Sequence, residues 1–319
     1  MSRYLVRRVL LAIPTLLLIS FVLYAILSLA PGDPLSQFAA NPSVPPEVRE
    51  NIRRSFGLDQ PWPVRYVKWV FAMFRGDWGN SFGSRIPVWD LLKLRIPSTL
   101  AVVGVAYLFA LVIAVPIGIL SAVRQYSIFD HIATTFAFIG FSVPTFFTGL
   151  LLIIVLSVKL QWLPFIYDST LQVHDLSSLG SQIRQSIMPI TVLALFQTAI
   201  LVRYTRASML ENLPQDYVRT ARAKGLAELN VINRHVVRNS LIPVVTLIAL
   251  SAPTVFSGAL ITEQIFRVPG IGSLLITSIQ NNDIPVIMAI TFTFSILVVL
   301  FNLVADMLYG VLDPRIRYD

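Results

Sequence analysis

Residues 98–122 read STLAVVGVAYLFALVIAVPIGILSA and contain no charged side chain. A helix that rises 1.5 Å per residue needs roughly 20 apolar residues to cross a hydrocarbon core about 30 Å thick, so this stretch predicts a transmembrane helix. Five other stretches are long and apolar enough for the same role. The sequence therefore predicts an all-α polytopic membrane protein with six transmembrane helices, at residues 9–30, 98–122, 132–158, 186–202, 241–262 and 284–308.

The composition of the whole chain supports this fold class. Of its 319 residues, 55% are hydrophobic and only 13% are charged, and the mean hydropathy is +0.72. Soluble globular domains carry about 25% charged residues, so this chain has too little charge to cover the surface of a soluble protein of its size. The absence of cysteine excludes disulfide frameworks, thiolate metal sites and cysteine nucleophiles.

Lysine and arginine residues predict the orientation of the spans. With the N-terminus inside, thirteen of the 25 basic residues lie in inner segments and three lie in the two short outer loops. The positive-inside rule then places both termini in the cytoplasm. Arg3, Arg7 and Arg8 resemble the start of a signal peptide, but the apolar run that follows is longer than the roughly 7–15 residues of a signal core. We therefore expect an uncleaved first span.

The long segment at residues 31–97 falls on the outer side in this topology. Four of the five tryptophans lie in it, and the fifth, Trp162, lies in another outer loop. Within the segment, VRYVKWVFAMF at residues 64–74 is too short to span, and it places Val64, Val67 and Phe71 on one helical face. This pattern predicts a helix that lies in the membrane interface. An ordinary helix of a small extracytoplasmic subdomain is the alternative.

The one long inner loop, residues 203–240, reads RYTRASMLENLPQDYVRTARAKGLAELNVINRHVVRNS. Pro214 and Asp216 predict the start of a short amphipathic helix, with Asp216 as N-cap, and Gly225 predicts its end. A second helix is expected to begin near Leu229. Such a helix is either part of a surface or a plug for a groove in another protein.

Six short motifs occur in this chain in the order in which one known family carries them. They are YLVRRVLLAIP at 4–14, PGDP at 31–34, GLDQP at 57–61, RGDWG at 75–79, PGIG at 269–272 and LDPR at 312–315. Together with DYVRTARAKGL at 216–226, they resemble the first-permease type of the dipeptide/oligopeptide/nickel ABC-importer family. The general importer pattern has Glu-Ala-Ala where this chain has Arg219, Thr220 and Ala221.

The resemblance implies a function, an architecture and a set of partners. The chain would be a permease subunit of type I ABC-importer architecture that translocates peptides or a related small solute across the cytoplasmic (inner) membrane. It would pair with a second homologous permease, two ATPase subunits that hold ATP and Mg, and an extracytoplasmic substrate-binding protein. The helix that docks on the ATPase would comprise Asp216, Tyr217, Val218, Arg219, Thr220, Ala221, Arg222, Ala223, Lys224 and Gly225.

On this reading the chain divides into three parts. Residues 1–30 are the N-terminal segment and first span, 31–97 are the extracytoplasmic loop or subdomain, and 98–319 are the permease core with the coupling loop at 203–240.

The chain lacks the residues of several other kinds of site. None of its four lysines follows a glycine, which excludes a phosphate-binding P-loop and leaves the chain without a cofactor of its own. Its three histidines fall in three different loops and cannot build one metal site. The basic residues of the inner loop alternate with only Tyr204 and Tyr217, too few aromatic residues for a nucleic-acid surface. We therefore expect neither an enzyme nor a nucleic-acid binder.

Ionisable residues are almost absent from the predicted spans. Asp306, near the inner end of the sixth, is the one acid among them. Transporters coupled to protons or sodium usually place such groups near the membrane midplane, so ion coupling is not expected. A stand-alone channel or facilitator without an ATPase stays open as the alternative, because backbone and hydroxyl groups can line a pore.

The fifth predicted span carries a face of small and hydroxyl residues, which predicts a lining for the translocation path. Such a face also serves close helix packing, so both readings stay open at this point. Pro253 permits a kink in the same span. The candidates are Ser251, Thr254, Gly258 and Thr262 on this face, with Gln197, Ser142, Pro144 and Thr145 in the neighbouring spans. Without buried charge in the path, selectivity is expected to reside in the external binding protein.

Overall fold

The computed structural model of the chain describes residues 2–29, 45–55 and 57–312. Its side chains are described from residue 7 onward, apart from residues 46, 49, 52, 55, 252–258 and 308–312. These parts are helical, with one isolated bridge between Asn80 and Pro87. The helices are α1 Ser2–Leu29, α2 Pro46–Ser55, α3 Trp62–Phe74, α4 Val88–Val123, α5 Ile128–Ser142, α6 Thr145–Lys159, α7 Leu176–Asn212, α8 Asp216–Ala223, α9 Glu228–Val231, α10 Arg238–Phe266, α11 Ile271–Gln280 and α12 Ile284–Leu312.

Among the described residues, four helices are long and apolar enough to cross a membrane by themselves. They include residues Arg7–Leu29, Val88–Val123, Leu176–Asn212 and Ile284–Met307. The number rises to six if Ile128–Ser142 with Thr145–Lys159, and Ala259–Phe266 with Ile271–Gln280, each form one broken span. The predicted fifth span, residues 241–262, lies inside the 29-residue helix α10.

The third predicted span was wrong in one respect, because residues 132–158 do not form a single straight helix. They divide into α5 and α6, which are bent by 101° at the break. Pro144 has no N–H to continue the helix, and the residue before a proline is forced into extended backbone. Val143 accordingly has φ −85° and ψ 124°. The pair Val143-Pro144 in the sequence therefore already indicated a break in the helix at this position.

The fourth span is much longer than predicted. The sequence placed it at residues 186–202 between Arg184 and Arg203, whereas α7 is a 37-residue helix. Asp175 caps its N-terminus, with its side chain accepting from the Ser178 N–H at 2.7 Å. Arg184 is accommodated because its guanidinium donates two hydrogen bonds to the Trp162 carbonyl, at 2.9 and 2.6 Å.

The chain divides into two compact units. Unit 1 comprises Met1–Pro97 and Pro269–Leu300, and unit 2 comprises Ser98–Val268 and Phe301–Asp319.

The core of unit 2 lies between α4 and α7. Small residues repeat every fourth position along α4, at Ala106, Ala110, Ala114 and Gly118, and all four are buried. A Cβ atom at Gly118 would lie 2.6 Å from the Thr205 Cβ atom of α7, so only glycine fits there. Because lipid gives helices little hydrophobic reason to associate, close approach through small residues is the main source of packing energy in such a core.

In unit 1, helix α3 packs on α1 through aromatic side chains. The Tyr66 hydroxyl donates to the Leu17 carbonyl at 3.1 Å and lies 3.0 Å from the Ser20 Oγ atom. Tyr24 contacts both the Tyr66 and the Trp69 rings. The helix predicted at residues 64–74 is confirmed as a helix.

The turn that precedes α4 is held by an acid distant in sequence. Asp283 is buried, and its carboxylate accepts hydrogen bonds from the Ser81 hydroxyl, from the Phe82 N–H at 3.0 Å and from the Gly83 N–H at 3.3 Å. These contacts join residues some 200 positions apart into one compact part of unit 1.

Candidate functional site

Helix α8 is amphipathic, as predicted. Val218 and Ala221 are buried in a cluster with Ala122 of α4, Met209 of α7, and Val231 and Val236 of the following segment. The remaining side chains of α8 face outward. This arrangement fixes α8 to the ends of two long helices of unit 2 while leaving its other face open.

The predicted start of α8 was wrong by one residue. Gln215, with φ −66° and ψ 149°, is the N-cap, and its carbonyl accepts from the Val218 and Arg219 N–H groups at 3.0 and 3.2 Å. The first helical hydrogen bonds thus begin at Gln215, and Asp216 is the first helical residue. Its carboxylate lies 3.6 Å from Arg219 and still complements the positive end of the helix dipole.

The predicted end of α8 is confirmed. Lys224 is the C-cap, and Gly225 follows it with φ +77°. The Gly225 N–H donates to the Arg222 carbonyl at 2.9 Å, which closes the helix end. Left-handed backbone costs little only for glycine, so this position controls where the chain goes after α8.

An ion pair fastens the end of α8 to the start of α9. The Arg222 guanidinium donates from Nη2 and Nε to the two Glu228 carboxylate oxygens at 2.6 and 3.0 Å. This bidentate contact lowers the pKa of the Glu228 carboxyl below its ordinary value. Since both side chains are about half exposed, the pair orients α9 rather than adding much stability.

The outward face of this α8–α9 hairpin carries exposed apolar side chains among basic ones. Tyr217, Leu226 and Leu229 are exposed, and Leu229 reaches 73%. Exposed Arg219 and Lys224 lie on the same short segment. A surface with apolar anchors and positive charge can bind a complementary groove in another protein.

A buried acid of α5, Asp130, forms an ion pair with Arg206 of α7. Asp130 accepts from the Arg206 Nε and Nη2 atoms at 2.6 and 2.8 Å, from the Ser121 hydroxyl, and from the Tyr126 N–H at 2.9 Å. The ion pair joins α5 to α7, and the hydrogen bond from the Ser121 hydroxyl links α4 to the same carboxylate. This pair was not identified from the sequence, because nothing local links Asp130 to an arginine 76 positions away.

A cavity of 430 Å³ in unit 2 collects several of the predicted pathway residues. Gln197, Thr145, Pro144 and Ser251 line it. Tyr107, which the sequence gave no reason to single out, lines it too, and its hydroxyl donates to the Ile248 carbonyl at 2.9 Å and lies 3.0 Å from the Ser251 Oγ atom. The walls are otherwise formed by Ala106, Phe146, Leu193, Phe196, Ile200 and Ile261.

One donor in this cavity lacks a partner among the described residues. Gln197 is buried, and its Nε2 atom makes no hydrogen bond to any described residue. A buried amide without a partner is costly, and in a cavity it is available to a ligand or to water.

Two other pathway candidates, Ser142 and Thr262, do not line this cavity. Ser142 is exposed and does not line the cavity, and Thr262 is buried beside Ile261 but is likewise absent from its lining. The side chain of Thr254 and the position of Gly258 fall in residues 252–258, outside the described side chains.

A buried acid in α10 corrects the expectation that Asp306 is the one acid within a span. Because α10 continues to Phe266, it includes Glu263, which is fully buried. The Thr99 hydroxyl donates to its carboxylate at 2.7 Å. The predicted span ended at residue 262, so the acid was placed just outside it.

Comparison with known families covers nearly the whole chain. Residues 114–318 match the family described as "Binding-protein-dependent transport system inner membrane component", and residues 1–103 match "Binding-prot-dependent transport system membrane comp, N-term". These are families of transport components in the inner membrane, not of enzymes, which confirms a multi-pass membrane protein of that membrane.

Individual proteins are similar over their full length. The chain is 43% identical to the oligopeptide transport system permease protein AppB of Bacillus subtilis, over 100% of both chains. It is 38% identical to the dipeptide transport system permease protein DppB of Escherichia coli K12, over 100% of this chain and 99% of that protein.

Among solved structures, the inward-facing MetNI methionine ABC transporter matches with a TM-score of 0.54 and 18% identity, over 70% of this chain and 96% of that one. This match confirms the predicted importer-permease fold, and the relatives do not favour a stand-alone channel. The chain belongs to the family of binding-protein-dependent transport system inner membrane components.

Proposed function

We propose that this chain is the permease subunit of an ATP-driven importer that carries di- or oligopeptides into the cell. The observation that carries the proposal is full-length similarity, at 43% and 38% identity, to an oligopeptide and a dipeptide permease. The described residues of this chain supply a helical hairpin suited to docking and a mostly apolar cavity with a few hydrogen-bonding groups.

The partners follow from the same proposal. A second homologous permease completes the membrane core, two ATPase subunits bind ATP and Mg on the cytoplasmic side, and an extracytoplasmic binding protein delivers the peptide. The α8–α9 hairpin docks on an ATPase through Tyr217, Leu226 and Leu229. Its inner face, Val218 and Ala221, packs against α4 and α7, so movement of the hairpin would move those helices.

The passage of the peptide is assigned to the 430 Å³ cavity. A peptide in extended form presents backbone carbonyl groups, which accept hydrogen bonds and are common to every sequence. The Gln197 amide, which makes no hydrogen bond to any described residue, can donate to such groups without selecting side chains. Weak, general contacts of this kind suit a path through which many peptides pass, with selectivity assigned to the binding protein.

Reconstitution tests the proposed function directly. The complete transporter, in proteoliposomes loaded with ATP, is expected to accumulate a radiolabelled peptide only when the binding protein is supplied outside. A variant of the partner ATPase that cannot hydrolyse ATP is the control and is expected to show no uptake. Equilibration of peptide in that control would identify a facilitator and contradict the proposal.

Replacing Gln197 tests the assigned path. Gln197→Leu removes both hydrogen-bonding groups at nearly constant volume, and we expect peptide uptake to fall about fivefold to tenfold, as for one lost hydrogen bond of about 1 kcal/mol. The quantity of assembled transporter is expected to stay unchanged, because the Nε2 atom bonds to no described residue. Gln280→Leu, at an exposed position of α11 outside the cavity lining, is the control. Equal loss in the two variants would remove Gln197 from the path.

A further inference from the structure

Unit 1 contains a second and larger cavity, of 570 Å³, beside helix α3. This volume lies within the range of about 300–1,000 Å³ that is typical of small-molecule sites. Its lining combines aromatic rings, among them Tyr24, Trp69 and Trp78, with two cationic side chains, Arg65 and Lys68. Neither the transport path nor the hairpin uses this cavity.

The lining presents more hydrogen-bond donors than acceptors. The Arg65 Nε and Trp69 Nε1 atoms are both buried and make no hydrogen bond to any described residue. The Lys68 ammonium donates to the Gln60 side chain at 2.7 Å. The one acid in the lining, Asp77, already accepts from the Gly79 N–H at 2.9 Å. A cavity with two cations and two unsatisfied donors is complementary to an anion.

A second face of α3, adjoining the one that lines the cavity, indicates where this cavity lies. Val64, Val67, Phe71 and Phe74 recur at helical spacing and are all exposed, the two phenylalanines at 63% and 69%. Arg65, Lys68, Trp69 and Ala72 recur at the same spacing on the adjoining face and line the cavity. A short helix with one apolar face and a neighbouring basic face lies at the membrane interface, at the level of the lipid headgroups.

From these observations we propose that the cavity binds the headgroup of an anionic phospholipid. The phosphate lies against Arg65 and the Trp69 indole N–H, Lys68 adds a second positive charge, and the acyl chains leave along the exposed apolar face of α3. A polar soluble anion would satisfy the same donors but would gain nothing from that face, which favours a lipid as the source of the phosphate.

Native mass spectrometry of the purified full-length protein tests this site. The probes are phosphatidylglycerol and phosphatidylcholine with the same acyl chains. We expect the wild type to retain phosphatidylglycerol preferentially, and Arg65→Gln to weaken its binding about fivefold, as for the loss of one basic residue near a lipid surface. Trp69→Phe keeps the ring, loses the N–H donor and is expected to weaken binding in the same direction.

Matched variants and a soluble competitor separate the alternatives. Lys93→Gln and Trp162→Phe remove the same kinds of group from exposed positions outside the cavity and are expected to leave lipid binding unchanged. Equal melting temperatures in lipid-free detergent will show that the variants fold. Equal retention of the two lipids, or unchanged binding in Arg65→Gln and Trp69→Phe, would overturn the proposal. If millimolar inorganic phosphate displaced the bound lipid, the cavity would be assigned to a soluble anion and the lipid proposal would be overturned.

Discussion

Gly225→Val is expected to abolish most peptide transport while leaving the protein in the membrane. Gly225 has φ +77° at the end of α8, and a β-branched residue in that backbone conformation costs about 1–3 kcal/mol. This cost lowers the equilibrium constant for the native hairpin by a factor of about 5–150. Because the proposed ATPase contact depends on that hairpin, uptake should fall by about fivefold or more.

The comparison that interprets this variant is Gly225→Asn. A Cβ atom at this position would meet no atom of the described chain within 4 Å, so a substitution causes no clash at that atom. Asparagine tolerates left-handed backbone far better than valine and should retain most of the uptake. Uptake, the amount of membrane-inserted protein and the recovery of ATPase in a pull-down are measured together. Normal uptake in Gly225→Val would contradict the docking proposal, and equal loss in both variants would indicate that a partner occupies the space beside Gly225.

Arg206→Ala is expected to cause the largest loss of stability of any variant considered. The substitution leaves the Asp130 carboxylate, which is 2% exposed, without its bidentate partner. Removing one member of a buried pair typically costs about 3–5 kcal/mol, because the remaining charge stays uncompensated. The free energy of unfolding in detergent, measured by thermal or chemical denaturation, should fall by that amount.

Two further variants separate the ion pair from other effects. Arg203→Ala removes a nearby arginine of α7 whose guanidinium lies 5.1 Å from the Phe141 ring centre, and should cost about 1 kcal/mol or less. Asp130→Asn combined with Arg206→Ala removes the orphaned charge and should be more stable than Arg206→Ala alone. If Arg206→Ala lowered the free energy of unfolding no more than Arg203→Ala does, the result would show that Arg206 is not needed to compensate the buried Asp130 charge.

Features with a local signal were predictable from the sequence. The helix α8 follows from Pro214, from an apolar face of Tyr217, Val218 and Ala221, and from Gly225, which act over one or two turns. Its N-cap was misplaced by one residue, and Tyr217, expected on the apolar face, is exposed. The long apolar runs likewise predict the spanning helices. The break at Pro144 was also available locally, because a proline and the residue before it restrict the backbone wherever they occur.

Features that join distant residues were not predictable in this way. Asp130 pairs with Arg206 across 76 positions, and Asp283 accepts from residues near 82 across 201. No periodicity or motif indicates such partners, because they are chosen by how helices pack. Tyr107 was missed for a similar reason. A single tyrosine in an apolar span follows no distinguishing pattern, and only the folded structure places its hydroxyl beside the Ile248 carbonyl and Ser251. Glu263 was missed because the predicted span ended at residue 262, one position before it.

The contact between Asp283 and the turn at residues 81–83 has a consequence for biosynthesis. Ser98–Val268 is an unbroken stretch that supplies nearly all of unit 2, so unit 2 can begin to assemble while the rest of the chain is still on the ribosome. Unit 1 cannot be completed at that stage, because Asp283 is made long after residues 1–97. The donors at Ser81, Phe82 and Gly83 therefore lack their acceptor until residue 283 has been synthesised.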